Sequence, residues 1–163
     1  MADAASMILL QETCQWDMPQ WLRDLGYDAL LQRRDNDEDM EGKSLNLGGG
    51  LAMLFDTNVH RLVRSDLQSS CAMAAAFQNY ATGLMTIVVN VYIPPRGSSL
   101  WKRFGDQCSA GDDLEQAARE SVLDMIRVAQ RWALEYGKQR AHVIVAGDFN
   151  ARVGEHVAGI EDH

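Results

Sequence analysis

The chain has 163 residues, of which 47% are hydrophobic, and its formal net charge at pH 7 is −8. This length is typical of one domain and the apolar content is sufficient for a core, so a long disordered chain is excluded. The negative charge argues against binding of nucleic acid through bulk positive charge, because phosphate contacts depend on Lys and Arg. A polyanion would therefore have to be bound locally or through a metal ion.

The cysteines and the N-terminal region favour an intracellular protein. Cys14, Cys71 and Cys108 are widely spaced and contain no Cys-x-x-Cys pair, so they predict neither a disulfide framework nor a zinc site. The apolar stretch 7–10 has no basic residue ahead of it and is too short for a signal peptide or a membrane span. We therefore expect an intracellular localisation, in the nucleus or the cytoplasm, and no membrane partner.

The first part of the chain predicts short strands and one helix. Residues 7–10 form a buried strand that ends in Gln-Glu-Thr, residues 16–25 form a helix, and residues 27–32 form a further strand. The acidic run 35–41 and the glycines 48–50 predict a loop. Calcium binding by the acidic run is a weaker alternative, because the ligand register of an EF-hand loop is absent.

The middle of the chain is predicted to be mainly β. Residues 51–55, 59–67 and 71–78 indicate successive antiparallel strands. Residues 84–93 are the longest run of β-forming residues, and the prolines that follow end it because proline cannot donate to a ladder.

A loop with three basic residues follows this long strand. Arg96, Lys102 and Arg103 would be suited to contact substrate phosphates in an otherwise acidic protein. A solvated loop is an equally good interpretation of the same residues.

One long amphipathic helix is predicted over residues 113–136, with Asp112 as its N-cap and Gly137 at its C-terminal end. Its apolar residues recur at three- and four-residue steps, as expected for a helix that packs on a sheet. These residues are Leu114, Ala118, Val122, Met125, Ala129, Trp132 and Tyr136. Such a helix leading into a buried strand indicates an α/β sandwich.

The last predicted strand ends in polar residues. Residues 143–145 are all β-branched and apolar, which predicts a strand covered on both faces. Gly147 would allow the backbone to bend or to approach another group closely, and period-2 geometry places Asp148 and Asn150 on one face with Phe149 anchored on the other. Taken alone, this ending is better explained by turn hydrogen bonds than by a functional site.

Polar side chains follow three of the predicted strands, in Gln-Glu-Thr, in Asn-Val-Tyr-Ile-Pro-Pro and in Gly-Asp-Phe-Asn. Ligand sites of layered α/β folds lie at such strand ends. If the three ends converge, the site is rich in carboxylate, phenol and amide oxygens and contains no thiol. These ligands favour a hard cation, Mg²⁺ or Mn²⁺, over zinc.

These three motifs, in this order, resemble those of the endonuclease/exonuclease/phosphatase superfamily, and residues 147–154 are most similar to the endonuclease domains of non-LTR retrotransposons and proteins derived from them. The resemblance covers nearly the whole chain. It implies an α/β fold, a partial four-layer αββα sandwich with mainly antiparallel or mixed sheets. It also implies a divalent metal, Mg²⁺ or Mn²⁺, and hydrolysis of a phosphoester, most often in a nucleic acid, which is therefore the expected substrate partner.

The resemblance assigns roles to four residues by their motif positions. Glu12 resembles the metal-binding glutamate of the family, and Tyr92 resembles its phosphate-site tyrosine. Asp148 resembles the aspartate that aligns or deprotonates the attacking water, and Asn150 resembles the amide that holds the scissile phosphate. A surface glutamate and a packed core tyrosine are the plainer interpretations of the first two. For Asn90 the sequence indicates only support of Tyr92 or of the turn.

The sequence departs from the family pattern at both ends. The family begins with a strand that ends in a metal-binding asparagine, whereas only residues 1–11 precede Glu12. The family also ends with a late acidic ligand and an Asp-His pair, whereas only residues 151–163 follow Asn150 here. We therefore expect residues 1–163 to be a single, incomplete domain that is catalytically silent by itself.

Two classes of function compete. One is a metal-dependent phosphodiester hydrolase of the endonuclease type, and the other is a non-catalytic remnant or binding module derived from a retroelement endonuclease. A phosphatase or deadenylase of the same superfamily is a further alternative. The sequence leaves the oligomeric state open.

Overall fold

The protein is represented by a computed structural model, which describes residues 5–13, 17–32, 50–69, 71–95 and 114–150. No helix among these residues is long and apolar enough to cross a membrane. Several features of the sequence lie outside the described residues: Cys14 and Cys108, the acidic run 35–41, the glycines 48 and 49, Arg96, Lys102 and Arg103, Asp112, and residues 151–163.

The described residues form strands and helices close to the predicted positions. In chain order these are β1 (Met7–Gln11), α1 (Gln20–Asp24), β2 (Tyr27–Gln32), β3 (Leu51–Asp56), β4 (His60–Asp66), β5 (Ala72–Asn79), β6 (Met85–Tyr92), α2 (Leu114–Tyr136) and β7 (Ala141–Asp148). Helix α1 begins later than predicted because Pro19 has extended backbone angles (φ −60°, ψ 143°) and proline disfavours helical geometry in the residue before it.

The strands form two sheets, one with the order β1-β3-β2 and one with the order β4-β5-β6-β7. All neighbours are antiparallel except β6 and β7, which are parallel. The prediction of successive antiparallel strands is correct for β4 and β5, but β3 belongs to the other sheet. Strand β3 is apolar and buried on both faces, so it occupies the centre of its sheet.

The two sheets pack face to face over a shared apolar core. Phe55 and Phe77, from opposite sheets, have ring centroids 5.0 Å apart. Met53, Val88 and Tyr92 belong to the same cluster. Because successive residues of a strand point to opposite faces, each sheet also has an outer apolar face that requires a cover.

The two helices cover these outer faces. Leu22 of α1 packs with Ala52 and Leu54 of the first sheet. Trp132 and Met125 of α2 belong to the cluster on the outer face of the second sheet. The layers are therefore helix, sheet, sheet and helix, which confirms the predicted α/β class with antiparallel and mixed sheets.

Strand β7 is the exception to the predicted burial. Within the described residues it pairs with β6 alone, and Val143, Ile144 and Val145 are 36%, 47% and 37% exposed. Phe149 is 38% exposed and is not anchored in the core. The prediction of a strand covered on both faces was therefore wrong. A run of apolar residues shows that a strand is hydrophobic, but it does not show that other elements cover both of its faces. Strand β1, also predicted to be buried, is half-buried.

Candidate active site

The parallel strands β6 and β7 end side by side. Tyr92 and Asp148, the last residues of the two strands, are partners in the register. Ile93, just beyond β6, donates its backbone N–H to the carbonyl of Asp148 at 2.9 Å, so the pairing continues past the strand end. The phenol of Tyr92 and the carboxylate of Asp148 therefore belong to one edge of the sheet, where ligand sites of α/β folds lie.

Gly147 permits this close pairing. Its φ is +140°, and a Cβ at this position would lie 2.0 Å from the carbonyl oxygen of Val91. The sequence prediction that this glycine allows a close backbone approach is confirmed. The residue immediately before Asp148 is thus fixed against β6, which sets the position of Asp148 itself.

Glu12 joins this edge from the other sheet. The hydroxyl of Tyr92 donates a hydrogen bond to the carboxylate of Glu12, 80 positions away in sequence. Tyr92 is 2% exposed, whereas Glu12 is exposed. Strand β1, which ends just before Glu12, also contacts both β6 and β7. The structure therefore brings together the ends of the three strands from which the sequence predicted a site.

Asp148 and Asn150 are linked by a tight turn. The Oδ1 atom of Asp148 accepts a hydrogen bond from the backbone N–H of Asn150 at 2.9 Å. The Nδ2 group of Asn150 donates to the carbonyl of Ile93 at 2.7 Å. These are the turn hydrogen bonds that the plainer interpretation of this motif predicted. An amide nitrogen has two N–H donors, so one bond to Ile93 does not use its full capacity.

Two of the predicted site residues have unusual backbone angles. Among the non-glycine residues that the structure describes, positive φ occurs at Glu12 (54°) and Asn150 (43°). Such conformations are costly for residues with a Cβ and cluster at functional sites. No sequence pattern signalled this feature, because φ depends on the contacts made after folding.

The residue types at this edge fit a hard cation. Glu12 and Asp148 provide carboxylate oxygens, and Mg²⁺ is usually held by one or two carboxylates together with water and substrate. The described ranges contain no group of three or more His, Cys, Asp and Glu side chains suited to a metal. The carboxylates of Glu12 and Asp148 are therefore the groups from this region that would hold Mg²⁺ or Mn²⁺.

A surface pocket lies at the other end of β6. Its lining contains none of the predicted site residues and includes Met85, the first residue of β6. The lining residues are Arg61, Val63, Gln78, Gly83, Met85, Tyr136 and Arg140. The convergence of strand ends identifies the candidate site at the opposite end of β6.

No protein-family model and no curated protein matches this sequence significantly. Solved structures do match. The human Nocturnin catalytic domain with bound sulfate anion is 20% identical with a TM-score of 0.57, and the match covers 90% of this chain and 52% of that one. An endonuclease/exonuclease/phosphatase family protein from Bacteroides thetaiotaomicron is 15% identical with a TM-score of 0.51, over 92% and 52% of the two chains. The chain therefore has the endonuclease/exonuclease/phosphatase fold.

A third structure of this fold is ANGEL2, described as a 2′,3′-cyclic phosphatase in complex with adenosine-2′,3′-vanadate. It is 17% identical with a TM-score of 0.56, and the match covers 90% of this chain and 40% of that one. The chain thus spans about half the length of the structures it resembles. The match to the fold agrees with the facing sheets and outer helices described above.

Proposed function

We propose that this chain carries the active site of a metal-dependent phosphodiester hydrolase of the endonuclease type. One observation carries the proposal: the hydroxyl of Tyr92 donates a hydrogen bond to the carboxylate of Glu12, and Tyr92 is the register partner of Asp148. Three residues selected by separate motifs thus meet at one sheet edge. The 2′,3′-cyclic phosphatase with this fold supports phosphoester chemistry.

Each residue supplies a function that phosphodiester hydrolysis requires. Asp148 is exposed at the strand end, where its carboxylate orients a water or accepts its proton. Tyr92 holds the carboxylate of Glu12 in place, and Asn150 provides an amide N–H for a phosphate oxygen. Glu12 and Asp148 would hold Mg²⁺ or Mn²⁺, which when bound supplies charge neutralisation at the phosphate.

A nucleic acid is the proposed substrate. The chain carries a net charge of −8, so a phosphodiester backbone would be bound at the site and not by bulk charge. The likeness of residues 147–154 to retroelement endonucleases supports this choice within the superfamily. A phosphomonoester substrate would instead indicate a phosphatase.

The experiment compares two aspartate variants. Asp66 is the matched control for Asp148, because its Oδ1 also accepts the backbone N–H of the residue two positions on, Gln68, at 3.1 Å. In a complete domain that contains this chain, assayed with Mg²⁺ or Mn²⁺ on single- or double-stranded oligonucleotides, Asp148→Ala should lower kcat by about 10²-fold or more, because a group acting on the water matters mainly in the transition state. Asp66→Ala should leave kcat unchanged.

The outcomes separate the candidate functions. Equal activity of the Asp148→Ala and Asp66→Ala variants would remove Asp148 from the mechanism, and hydrolysis of p-nitrophenyl phosphate alone would indicate a phosphatase. The second candidate is a binding module without turnover. It is favoured by the small number of carboxylates at the described site, where Glu12 and Asp148 would carry the metal alone. Oligonucleotide binding without metal-dependent cleavage would select this candidate.

A further inference from the structure

Asn90 is a fully buried polar side chain between the two sheets. Its exposed fraction is 0%, and it lies on the face of β6 that also carries Val88 and Tyr92. Its Nδ2 group donates to the carbonyl oxygens of Leu10 and Ala52, both at 3.0 Å. The amide of Asn90 thus joins the two sheets through hydrogen bonds within their shared core.

The bonds of Asn90 recognise one register of β1. Leu10 and Ala52 are direct partners in the pairing of β1 with β3, and Asn90 binds the carbonyls of both. Its Oδ1 atom accepts a further hydrogen bond from Nε2 of Gln11 at 2.7 Å. A one-residue slip of β1 would move Leu10 and Gln11 away from these positions and reverse the faces of the strand.

The same contacts lead directly to the candidate site. Gln11 precedes Glu12, and Asn90 stands two positions before Tyr92 on the same face of β6. The hydrogen bonds from Gln11 to Asn90 and from Tyr92 to Glu12 therefore close a small ring between β1 and β6. Strand β1 is only half-buried and has one neighbour in its sheet among the described residues, β3, so this ring adds a second attachment at its end.

We infer that Asn90 is the positioning residue that holds Glu12 against Tyr92. The effect of this residue on catalysis rests on the proposed function. The amide does not touch the substrate or the metal. It holds the end of β1 by two hydrogen bonds, to Leu10 and from Gln11, and a third bond, to Ala52, ties the same amide to β3. The backbone carries this constraint one residue past Gln11 to the carboxylate of Glu12. An apolar side chain of equal size would fill the same volume and leave these three groups without their partner.

The test measures the position of β1 in the protein without ligand. Asn90→Leu keeps the side-chain size and removes the three hydrogen bonds. Val88→Ala is the matched control, because Val88 is 3% exposed on the same face of β6 and its truncation weakens the core without removing a polar contact. The two readouts are amide hydrogen exchange of β1 relative to β3, and the nuclear Overhauser contact between the Tyr92 ring and the Glu12 side chain.

In Asn90→Leu we expect the amides of β1 to exchange about tenfold faster relative to those of β3, because the strand opens locally. We also expect the contact between Tyr92 and Glu12 to be lost. Val88→Ala should accelerate exchange in both strands alike and keep the contact. An Asn90→Leu protein that keeps the contact, with β1 and β3 exchanging in step, would overturn the inference.

A second variant, Gln11→Met, tests the inference if the Asn90→Leu protein does not fold. Gln11→Met removes one of the three bonds at a partly buried position and should weaken the Tyr92–Glu12 contact, and an unchanged contact would overturn the inference. For protein that cleaves an oligonucleotide, Asn90→Leu should lower kcat about 10- to 100-fold with little change in KM. If a complete domain that contains this chain cleaves no substrate, the proposed function fails, while the exchange and NMR readouts still decide the role of Asn90.

Discussion

At the scale of single residues, Glu12 and Asn150 are held in backbone conformations that L-residues seldom adopt. Their φ angles are 54° and 43°, and such conformations cost on the order of 1–3 kcal/mol each. Each is retained by side-chain bonds, from Tyr92 to Glu12 and from Asn150 to Asp148 and Ile93. The strain therefore lies within the candidate site, where it fixes side chains before a substrate arrives.

Gly147 provides a prediction on close backbone packing. Gly147→Ala would place a Cβ 2.0 Å from the carbonyl oxygen of Val91, whereas Gly83, also at positive φ (+70°), has no atom within 4 Å of its Cβ position. We expect Gly83→Ala to lower the free energy of unfolding by about 1–2 kcal/mol through its left-handed conformation alone. Gly147→Ala should cost clearly more. Urea denaturation measures both, and equal losses would show that β7 does not depend on this contact.

His60 provides a prediction on pH. It is 7% exposed, its Nε2 atom is 3.3 Å from Oγ of Ser6, and its buried Nδ1 atom has no partner among the described residues. Burial lowers the pKa of His60 below 6.5, and the charge of Asp56 only partly offsets this. The unfolded chain therefore binds the proton first, so the stability from neutral His60 is complete above pH 6.5 and is lost as the pH falls from there towards the lowered pKa.

This pH dependence is measured by urea unfolding at a pH above and a pH below 6.5. The wild-type protein should lose more stability on acidification than His60→Gln, which cannot be protonated. Parallel losses in the two proteins would assign the pH dependence to other groups.

At the scale of elements, hydrophobic periodicity predicted where strands and helices occur but not which of them become neighbours. The stripe of α2 was predicted correctly at positions 118, 122, 125, 129, 132 and 136, because a helix that packs on a sheet repeats every three or four positions. The side chain of Leu114 lies outside the described part of the chain. The placement of β3 in one sheet and β4 in the other was not predicted, since both flank the same short turn. The exposure of β7 was also not predicted. Burial of a strand on both faces depends on neighbouring elements, which the hydrophobic pattern does not identify.

The exposed apolar residues of β7 predict self-association. Within the described residues the outer edge of β7 is unpaired and residues 143–146 carry no charged side chain, so this edge is a template for another strand. Ile144 is 47% exposed in β7, and Leu134 on the surface of α2 is 60% exposed, which makes it the matched control. We expect Ile144→Lys to reduce concentration-dependent association in sedimentation velocity, with a loss of stability of less than about 1 kcal/mol. Leu134→Lys should leave association unchanged, and equal effects would point to general surface hydrophobicity.

At the scale of the whole molecule, the candidate site is assembled from residues that are distant in sequence. The motifs named Glu12, Tyr92, Asp148 and Asn150, but only the folded chain shows that Tyr92 bonds Glu12 and stands beside Asp148. For Asn90 the sequence indicated only support of Tyr92 or of the turn. Its bonds to Leu10 and Ala52 could not be predicted, because these partners are 80 and 38 positions away and belong to the other sheet. Local patterns therefore identified the candidate residues, and the packing of the sheets determined how these residues lie relative to one another.

If Glu12 and Asp148 share a divalent cation, Mg²⁺ should stabilise the folded protein, because a ligand that binds only the native state raises the free energy of unfolding. At a concentration ten times the dissociation constant, the gain is about 1.4 kcal/mol. Glu12→Gln should remove this gain, since it loses the charge but keeps an oxygen that accepts the hydrogen bond of Tyr92. Thermal unfolding with and without Mg²⁺ measures the effect without any substrate.

The net charge of −8 makes a control necessary, because other carboxylates also attract Mg²⁺. Asp66→Asn removes one charge at a strand end whose side chain makes the same type of turn bond as Asp148, so it should keep the full rise in Tm. A rise that persists in Glu12→Gln would place the cation elsewhere, for which the acidic run 35–41 is the first candidate. A rise lost in Glu12→Gln and kept in Asp66→Asn would place the cation at the sheet edge where Tyr92 meets Glu12.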